Sequence, residues 1–322
     1  MQTTNLKDDG KMEKISVVIP CYCSENTIKN VVVEVLSAMK GIIDYTYEII
    51  LVDDSSPDNT YEVIKELADG NNMIKGISLA RNFGQHSALM AGFHYATGDI
   101  VVCLDDDGQT PANEIYMLVD KLNEGYDVVY ARYNHKKHNV FRNFGSKVND
   151  LMTRYLLNKP KNLYISSYFA TRKFVVEEVK KYKNSYPYVI GLVLRTTKRI
   201  ANVDVNHRKR EVGESGYTLV KLIGLWFNGF TAFSIKPLRV ATFIGGLSSI
   251  LGFGYGIYTI IKKIINPAVP LGFSSVMAAL MFIGGMVMLM LGLIGEYIGR
   301  IYISINDAPQ FIIRDVINGQ KN

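Results

Sequence analysis

The chain has 322 residues, of which 48% are hydrophobic and 20% are charged, and its formal net charge is +6. This length is enough for one sizeable domain with an appendage. The positive charge could suit nucleic acid, but no segment interleaves aromatic and basic side chains as a single-strand platform does. We therefore expect anionic membrane lipid, and no nucleic acid, to face the basic residues.

Short β-branched runs alternate with helix-like stretches over about the first 130 residues. This alternation predicts an α/β fold with a mostly parallel sheet. The predicted strands are 15–20, 48–53, 74–80, 100–104 and 127–130, and a further strand is predicted at about 163–170, after a basic helix-like stretch at 140–157. Polar segments follow the first four strands, at 20–25, 53–59, 80–85 and 105–111. Because ligands bind beyond the carboxyl ends of such strands, we expect these segments to form one site.

Three consecutive carboxylates, Asp105, Asp106 and Asp107, directly follow an apolar strand. Adjacent anions repel each other unless a cation compensates, and Mg²⁺ or Mn²⁺ prefers oxygen ligands of this kind. In an extended segment Asp105, Asp107 and Gln109 lie on one side, and Asp106 points away. We therefore expect Asp105, Asp107 and Gln109 at a metal site. The alternative is a solvated acidic turn before the next helix.

The second and third strand ends also carry charge. Asp53 and Asp54 could accept hydrogen bonds from a base or ribose, or Asp54 or Ser55 could cap the following helix. Arg81 suits a phosphate or a base edge. Further cations that could neutralise a diphosphate or an anionic acceptor are Arg132, Arg142 and Arg210.

The three cysteines, Cys21, Cys23 and Cys103, lie in or beside strand-like stretches. An odd count suits reduced thiols in a cytosolic setting better than a disulfide framework. The Cys-x-Cys pair could bind metal, but it has no second pair and no nearby histidine. We interpret these cysteines as strand-end residues.

Two charge-free apolar runs, 240–261 and 271–295, dominate the last third of the chain. Each exceeds the roughly 20 residues that cross a bilayer as a helix, so we expect a membrane hairpin rather than buried soluble helices. The preceding stretch, 217–235, has helical spacing and predicts either an interfacial helix or a core helix. The flanking Lys and Arg residues lean weakly towards a cytoplasmic N-terminal domain.

Several segments together carry a family resemblance. They are VVIPCYCSENTI, YEIILVDDSSPDNT, LARNFGQHSALMAGFHYATGDIVVCLDDDGQTP, GYDVVYARY, REVGESGYTLVKL and FSIKPLRVATFIG, followed by two apolar runs and GEYIGRIY. In this order they resemble the polyprenyl-phosphate branch of glycosyltransferase family 2, over nearly the whole chain. The resemblance implies a GT-A fold, which is Rossmann-like, and inversion at the anomeric carbon. It also implies transfer to a lipid-linked phosphate at the cytosolic membrane face.

The resemblance also implies roles for individual residues. Pro20, Tyr22 and Asp53 would hold the base and ribose, and Asp105, Asp107 and Gln109 would bind the metal and diphosphate. Other residues expected at the donor are Glu25, Asp54, Arg81 and Asp106. Those implied at the acceptor phosphate are Arg142, Ser146, Arg210 and Ser215. Asp105, Asp107, Arg132 and Arg210 are the implied catalytic set.

The chain departs from the family pattern at a few positions. Cys23 replaces the usual asparagine, and Ser24 replaces the usual acidic residue, with Glu25 one position later. Either Ser24 or Glu25 could therefore contact the nucleotide. Gly216 stands where a lysine is common, although Gly213, Ser215 and Tyr217 remain.

The expected activity is transfer of a hexose from a UDP- or GDP-linked donor to undecaprenyl or another polyprenyl phosphate. A phosphate monoester is largely ionised at neutral pH, so this nucleophile needs little help from a general base. The expected protein is a homo-oligomer of the inner (plasma) membrane with several spans. Its expected parts are a cytoplasmic GT-A domain (1–213), an interfacial helix (214–239), a hairpin (240–305) and a cytoplasmic tail (306–322).

Two alternatives remain open at the level of sequence. A family 2 transferase with a saccharide acceptor would need a carboxylate base, for which Asp106 or Glu211 could serve. A non-catalytic scaffold or flippase subunit would not need the carboxylates at Asp105 and Asp107. A flippase would also normally have more spans or polar groups within them, and these two runs contain no charged residue before Glu296.

Overall fold

The computed structural model describes residues 12–133, 160, 162–206, 236–266, 272–305 and 309–319. The chain forms two compact units, Met1–Thr218 with Asp307–Asn322, and Leu219–Asn306. The helices predicted near 140–157 and 217–235 lie outside the described residues.

The first unit contains one sheet, and its described strands run in the order β7-β5-β6-β4-β1-β2-β3-β8. The strands are β1 (Glu13–Cys21), β2 (Tyr45–Asp53), β3 (Ile74–Leu79), β4 (Ile100–Cys103), β5 (Val128–Tyr133), β6 (Phe169–Arg172), β7 (Ile200–Val205) and β8 (Ile313–Ile317). β6 and β8 run antiparallel to their neighbours, and the other pairings are parallel. The predicted mostly parallel α/β sheet is confirmed.

Helices cover the sheet. They are α1 (Ile28–Lys40), α2 (Thr60–Asp69), α3 (Gln85–Tyr95), a 3₁₀ turn (Ala112–Glu114), α4 (Ile115–Asn123), α5 (Lys173–Lys180) and α6 (Val189–Thr196). α1 buries an apolar face that includes Ile28, Val31 and Val35, the spacing of an amphipathic helix. α3 lies unusually close to β1, because a Cβ atom on Gly92 would fall 2.4 Å from Cγ1 of Val18. Only glycine allows this approach.

One predicted strand is shorter in the structure. The segment 163–170 was expected to be extended throughout, but β6 begins only at Phe169. Before it, the side chain of Asn202 binds both the backbone nitrogen and the backbone oxygen of Tyr164. The Ser166 hydroxyl donates to backbone oxygens as well. Side chains therefore replace strand partners here.

The C-terminal segment joins the sheet, which the sequence patterns did not indicate. β8 pairs antiparallel with β3, and Ala80 N donates to Ile312 O at 2.8 Å. The Asn318 amide donates to the backbone oxygens of Ala68 and Ile74. The segment expected to be only a tail thus supplies the edge strand beside β3.

The second unit contains two long helices, α7 (Lys236–Ile265) and α8 (Phe273–Ile305). Windows at Ala241–Tyr258 and Phe282–Gly299 have mean hydropathies of 1.2 and 1.7 and are long enough to cross a membrane. Large apolar side chains on both helices are exposed, for example Phe243 at 74% and Met288 at 72%. Helices of a soluble core would bury such side chains, so this exposure favours a lipid environment.

Candidate active site

The carboxyl edge of the sheet contains a cavity of about 450 Å³. It lies where the ends of β1, β2 and β4 meet the start of α3. The lining residues are Pro20, Cys21, Tyr22, Asp54, Asn82, Gln85, Ala88, Asp105, Asp106, Asp107 and Ser167. The polar segments after the first four strands therefore contribute to one cavity.

Asp105, the first of the three consecutive carboxylates, accepts hydrogen bonds from two side chains. The Gln85 amide donates to its Oδ1 at 3.0 Å, and the Ser167 hydroxyl donates to its Oδ2. Burial raises the pKa of Asp105 to about 6, against the hydrogen bond from Ser167, and the charges of Asp107 and Asp106 add to the rise. A positive charge at this position would therefore be strongly favoured.

Asp106 also faces the cavity, contrary to the prediction that it points away. Its Oδ2 accepts a hydrogen bond from Tyr22 N at 2.9 Å. The extended geometry that the prediction assumed ends with β4 at Cys103, and the chain bends over residues 106–108, where Gly108 has φ +73°. This bend turns Asp106 to the same side as its neighbours. Burial raises the pKa of Asp106.

Asp107 lines the cavity, and its Oδ1 accepts the backbone N–H of Gln109 at 3.1 Å. Gln109, which was expected to share the metal with Asp105 and Asp107, is not among the residues that line the cavity. Its backbone instead helps to hold the Asp107 carboxylate.

Asp53, the last residue of β2, and Asp54, which follows it, accept hydrogen bonds from neighbouring segments. Asp54 accepts hydrogen bonds from the backbone nitrogens of Phe83 and Gly84, both at 2.7 Å. Asp53 accepts one from Ser56 N at 3.0 Å and one from the Ser78 hydroxyl at 3.2 Å. Burial raises the pKa of Asp54, although the hydrogen bonds from the backbone N–H groups of Phe83 and Gly84 lower it. Of the two, only Asp54 lines the cavity.

The segment after β1 presents Tyr22 to the cavity with half of its surface exposed. Cys23 follows at φ +54°, and Ser24 is buried. The Glu25 carboxylate accepts hydrogen bonds from the backbone and side chain of Asn59. Neither Ser24 nor Glu25 is among the lining residues.

None of the arginines that the structure describes is among the residues that line the cavity. The Arg81 guanidinium stacks over the Phe83 ring at 4.6 Å. Arg132 forms a two-pronged ion pair with Asp204 on β7, with Nε to Oδ1 at 2.5 Å. Four expected site residues lie outside the described residues, namely Arg142, Ser146, Arg210 and Ser215, and so do Gly213, Gly216 and Tyr217.

Sequence reasoning did not single out Asn82, Gln85 or Ser167, although all three line the cavity. Asn82 and Gln85 belong to the polar segment after β3, so the sequence indicated that this segment contributes to the site without naming these two residues. Ser167 lies 62 residues from Asp105 in a loop before β6. Nothing in its local sequence indicates this contact.

The donor set suits a metal that is shared with a substrate. Within the described residues, no cluster of three or more His, Cys, Asp or Glu side chains has an arrangement that could hold a metal alone. Magnesium commonly uses one or two carboxylates together with substrate phosphates. Asp105 and Asp107 fit that arrangement. The three cysteines are free thiols, two of them buried.

Comparisons with known proteins agree with this architecture. The family model described as "Glycosyl transferase family 2" matches residues 16–180, and the model "GtrB C-terminal hairpin" matches 236–301. The undecaprenyl-phosphate 4-deoxy-4-formamido-L-arabinose transferase of Yersinia enterocolitica is 33% identical over 98% of this chain and 97% of its own. Its counterpart in Proteus mirabilis is 35% identical over 97% of this chain and 96% of its own.

Among solved structures, glucosyl-3-phosphoglycerate synthase from Mycobacterium tuberculosis, in complex with Mn²⁺ and UDP-glucose, superposes with a TM-score of 0.53. The identity is 21%, over 68% of this chain and 77% of that one. This likeness shows a shared fold and confirms the GT-A architecture.

Proposed function

The chain belongs to glycosyl transferase family 2, and we propose that it moves a sugar from a nucleotide-linked donor to polyprenyl phosphate. The observation that carries this proposal is the convergence of Asp105, Asp106 and Asp107 on one cavity at the carboxyl edge of the sheet. The relatives named as undecaprenyl-phosphate transferases support the choice of acceptor.

The cavity suits the diphosphate end of the donor. Asp105 and Asp107 would hold Mg²⁺ or Mn²⁺, and the ion would offset charge on the departing diphosphate. The solved synthase with a shared fold is described with Mn²⁺ and UDP-glucose, which supports a metal and a uridine nucleotide. Tyr22, with an exposed ring at the cavity edge, would pack against the nucleotide.

The reaction is a direct displacement. A phosphate oxygen of the acceptor forms a bond to the anomeric carbon of the sugar. The bond from that carbon to the nucleoside diphosphate breaks, and the diphosphate leaves with the electron pair. Because the acceptor phosphate is already ionised at neutral pH, no general base is required. A single displacement inverts the configuration at the anomeric carbon.

The membrane placement is also part of the proposal. α7 and α8 would form a hairpin of two spans in the plasma membrane, with the catalytic domain on the cytoplasmic side. The exposed apolar side chains of both helices support spanning. The match of 236–301 to a hairpin model supports the pairing of the two helices.

The test uses the full chain in membranes, with polyprenyl phosphate and a panel of radiolabelled donors. The panel includes UDP- and GDP-linked hexoses, the expected sugar class, and a UDP-linked 4-deoxy-4-formamido-L-arabinose, the sugar named in the relatives. We expect label to enter the organic phase with one donor, and only when Mn²⁺ or Mg²⁺ is present. If no donor labels the organic phase, the proposal is wrong, and label in an aqueous saccharide would favour the saccharide-acceptor alternative.

A further inference from the structure

We propose that Gln85 and Ser167 are positioning residues that fix the Asp105 carboxylate in the orientation that a metal bound to the donor diphosphate requires. This inference rests on the proposed function. It concerns two side chains that contact Asp105, one from before it in the sequence and one from well after it. Gln85 is the first residue of α3, and Ser167 lies two residues before β6.

Both oxygens of the Asp105 carboxylate have a protein donor. The Gln85 amide binds Oδ1 at 3.0 Å, and the Ser167 hydroxyl binds Oδ2. Two contacts on different oxygens restrict rotation of the carboxylate about the Cβ–Cγ bond. Each oxygen accepts up to two hydrogen bonds or ligands, so both retain a lone pair for a cation.

The chemistry of the two donors suits a metal ligand. An amide and a hydroxyl are neutral, so neither donor offsets the negative charge of Asp105. A lysine or arginine in either place would neutralise the carboxylate and compete with the metal. Neutral hydrogen bonds to a ligating carboxylate are the usual way in which proteins orient metal ligands.

The position of Gln85 is itself fixed by the chain before it. Asp54 holds the backbone nitrogens of Phe83 and Gly84, the two residues that precede α3. Gly84 has φ +90°, which favours glycine, so the turn into α3 is specific. This turn places the Gln85 amide at the cavity.

The position of Ser167 is fixed by its two neighbours. The Ser166 hydroxyl oxygen lies 2.8 Å from the backbone oxygens of both Ala131 and Tyr168, and its single proton is shared between them. Tyr168 is fully buried, and its hydroxyl donates to Pro111 O at 3.1 Å. The backbone on both sides of Ser167 is therefore anchored, and its hydroxyl reaches Asp105 without support from a regular strand.

The test measures Mn²⁺ binding by the full chain in detergent, with UDP or GDP present, from the electron paramagnetic resonance signal of free Mn²⁺. We expect Ser167→Ala to raise the Mn²⁺ Kd about 10-fold or more, the usual effect of removing an orienting partner. Ser167→Thr keeps a hydroxyl and should restore binding. The matched control is Ser37→Ala, which removes an exposed hydroxyl on α1 that takes no part in holding Asp105 or Ser167, and it should leave the Kd within about twofold.

A second variant covers the case in which Ser167→Ala unfolds. Gln85→Met removes the amide at an exposed helix position and keeps the side-chain length. It should raise the Mn²⁺ Kd and the KM for the donor, with a smaller change in kcat. An unchanged Kd in folded Ser167→Ala or in Gln85→Met would overturn the inference, as would the absence of Mn²⁺ binding by the unaltered chain. The Mn²⁺ measurement needs no lipid acceptor, so its result is independent of the transfer assay. The inference on Gln85 and Ser167 can therefore be wrong while the proposed transfer is right, or right while the proposed transfer is wrong.

Discussion

The carboxylate of Asp54 lies 2.7 Å from the backbone nitrogen of Gly84, the residue that precedes α3. A second bond of the same length reaches the nitrogen of Phe83. An anion at this position satisfies two N–H groups that have no partner within the helix. These hydrogen bonds link the end of β2 to the start of α3, at a residue that lines the cavity.

Asp54→Asn should weaken the link between β2 and α3. The amide offers one acceptor oxygen in place of two, so one buried N–H loses its partner, and the unfolding free energy should fall by roughly 1–3 kcal/mol. The KM for the donor should also rise, because Gln85 follows directly. Thermal unfolding and donor kinetics measure the two effects. Asp69→Asn, at an exposed carboxylate at the end of α2, is the control and should change neither.

Asp107→Asn should abolish transfer while the protein remains folded and membrane-bound. A neutral amide is a poor ligand for Mg²⁺ or Mn²⁺ at a diphosphate, and we expect a loss of about 100-fold or more in kcat. Transfer assays and membrane flotation measure activity and placement separately. The exposed Asp120 on α4 provides the control Asp120→Asn. Turnover near that of the control would mean that the metal assignment is wrong.

The stability of the domain should depend on pH through Glu48, which lies on β2. Lys14 Nζ and Lys75 Nζ lie 2.7 and 3.0 Å from its Oε2, and Ser16 and Thr97 donate to Oε1. Burial alone would raise the pKa of Glu48, but these hydrogen bonds outweigh it and lower the pKa from 4.5 to about 2.

The folded-state pKa is below the unfolded value, so the stabilisation is present above about pH 4.5 and is lost as the pH falls towards 2. It amounts to roughly 3 kcal/mol at neutral pH. Glu48→Gln should be less stable at pH 7 and show a flatter stability profile between pH 5 and 3. Unfolding followed by circular dichroism tests this. The exposed Glu66 gives the control Glu66→Gln, and equal profiles for Glu48→Gln and the control would contradict the expectation.

Asn318→Gly should weaken the attachment of β8. Asn318 has φ +56°, which glycine tolerates, so this change removes the two hydrogen bonds to Ala68 and Ile74 without backbone strain. We expect β3 amides to exchange faster, by an amount that corresponds to about 1–2 kcal/mol of local opening. Hydrogen exchange read by mass spectrometry measures this. Arg314→Ala, at an exposed position on β8, should leave the exchange of β3 unchanged.

The sheet was largely predictable because its central strands are buried on both faces. Such strands appear as continuous apolar runs, and the runs at 15–20 and 48–53 fall inside β1 and β2. β7 and β8 were not predicted. Both are edge strands with few buried residues, so their sequences lack that signal.

The candidate site was predictable only where a side chain belongs to a strand end. The three aspartates after β4 follow directly from the apolar run before them. The side on which Asp106 lies depends on the bend over residues 106–108, after β4 has ended at Cys103, and period-two reasoning does not apply there. Ser167 reaches Asp105 through a loop held by distant side chains, and such a contact has no local pattern.

The place of β8 also affects how the protein is made. Asn318 follows Ile74, whose oxygen it binds, by 244 residues, and both apolar helices lie between them. At typical rates of synthesis, β3 therefore waits on the order of 10 to 50 s on the ribosome before its partner strand exists. During that time its edge presents unpaired N–H and C=O groups, which other chains can join. A gene shortened before α7 would make this temporary exposure permanent, so the catalytic domain expressed alone should tend to aggregate although every lining residue of its cavity is present.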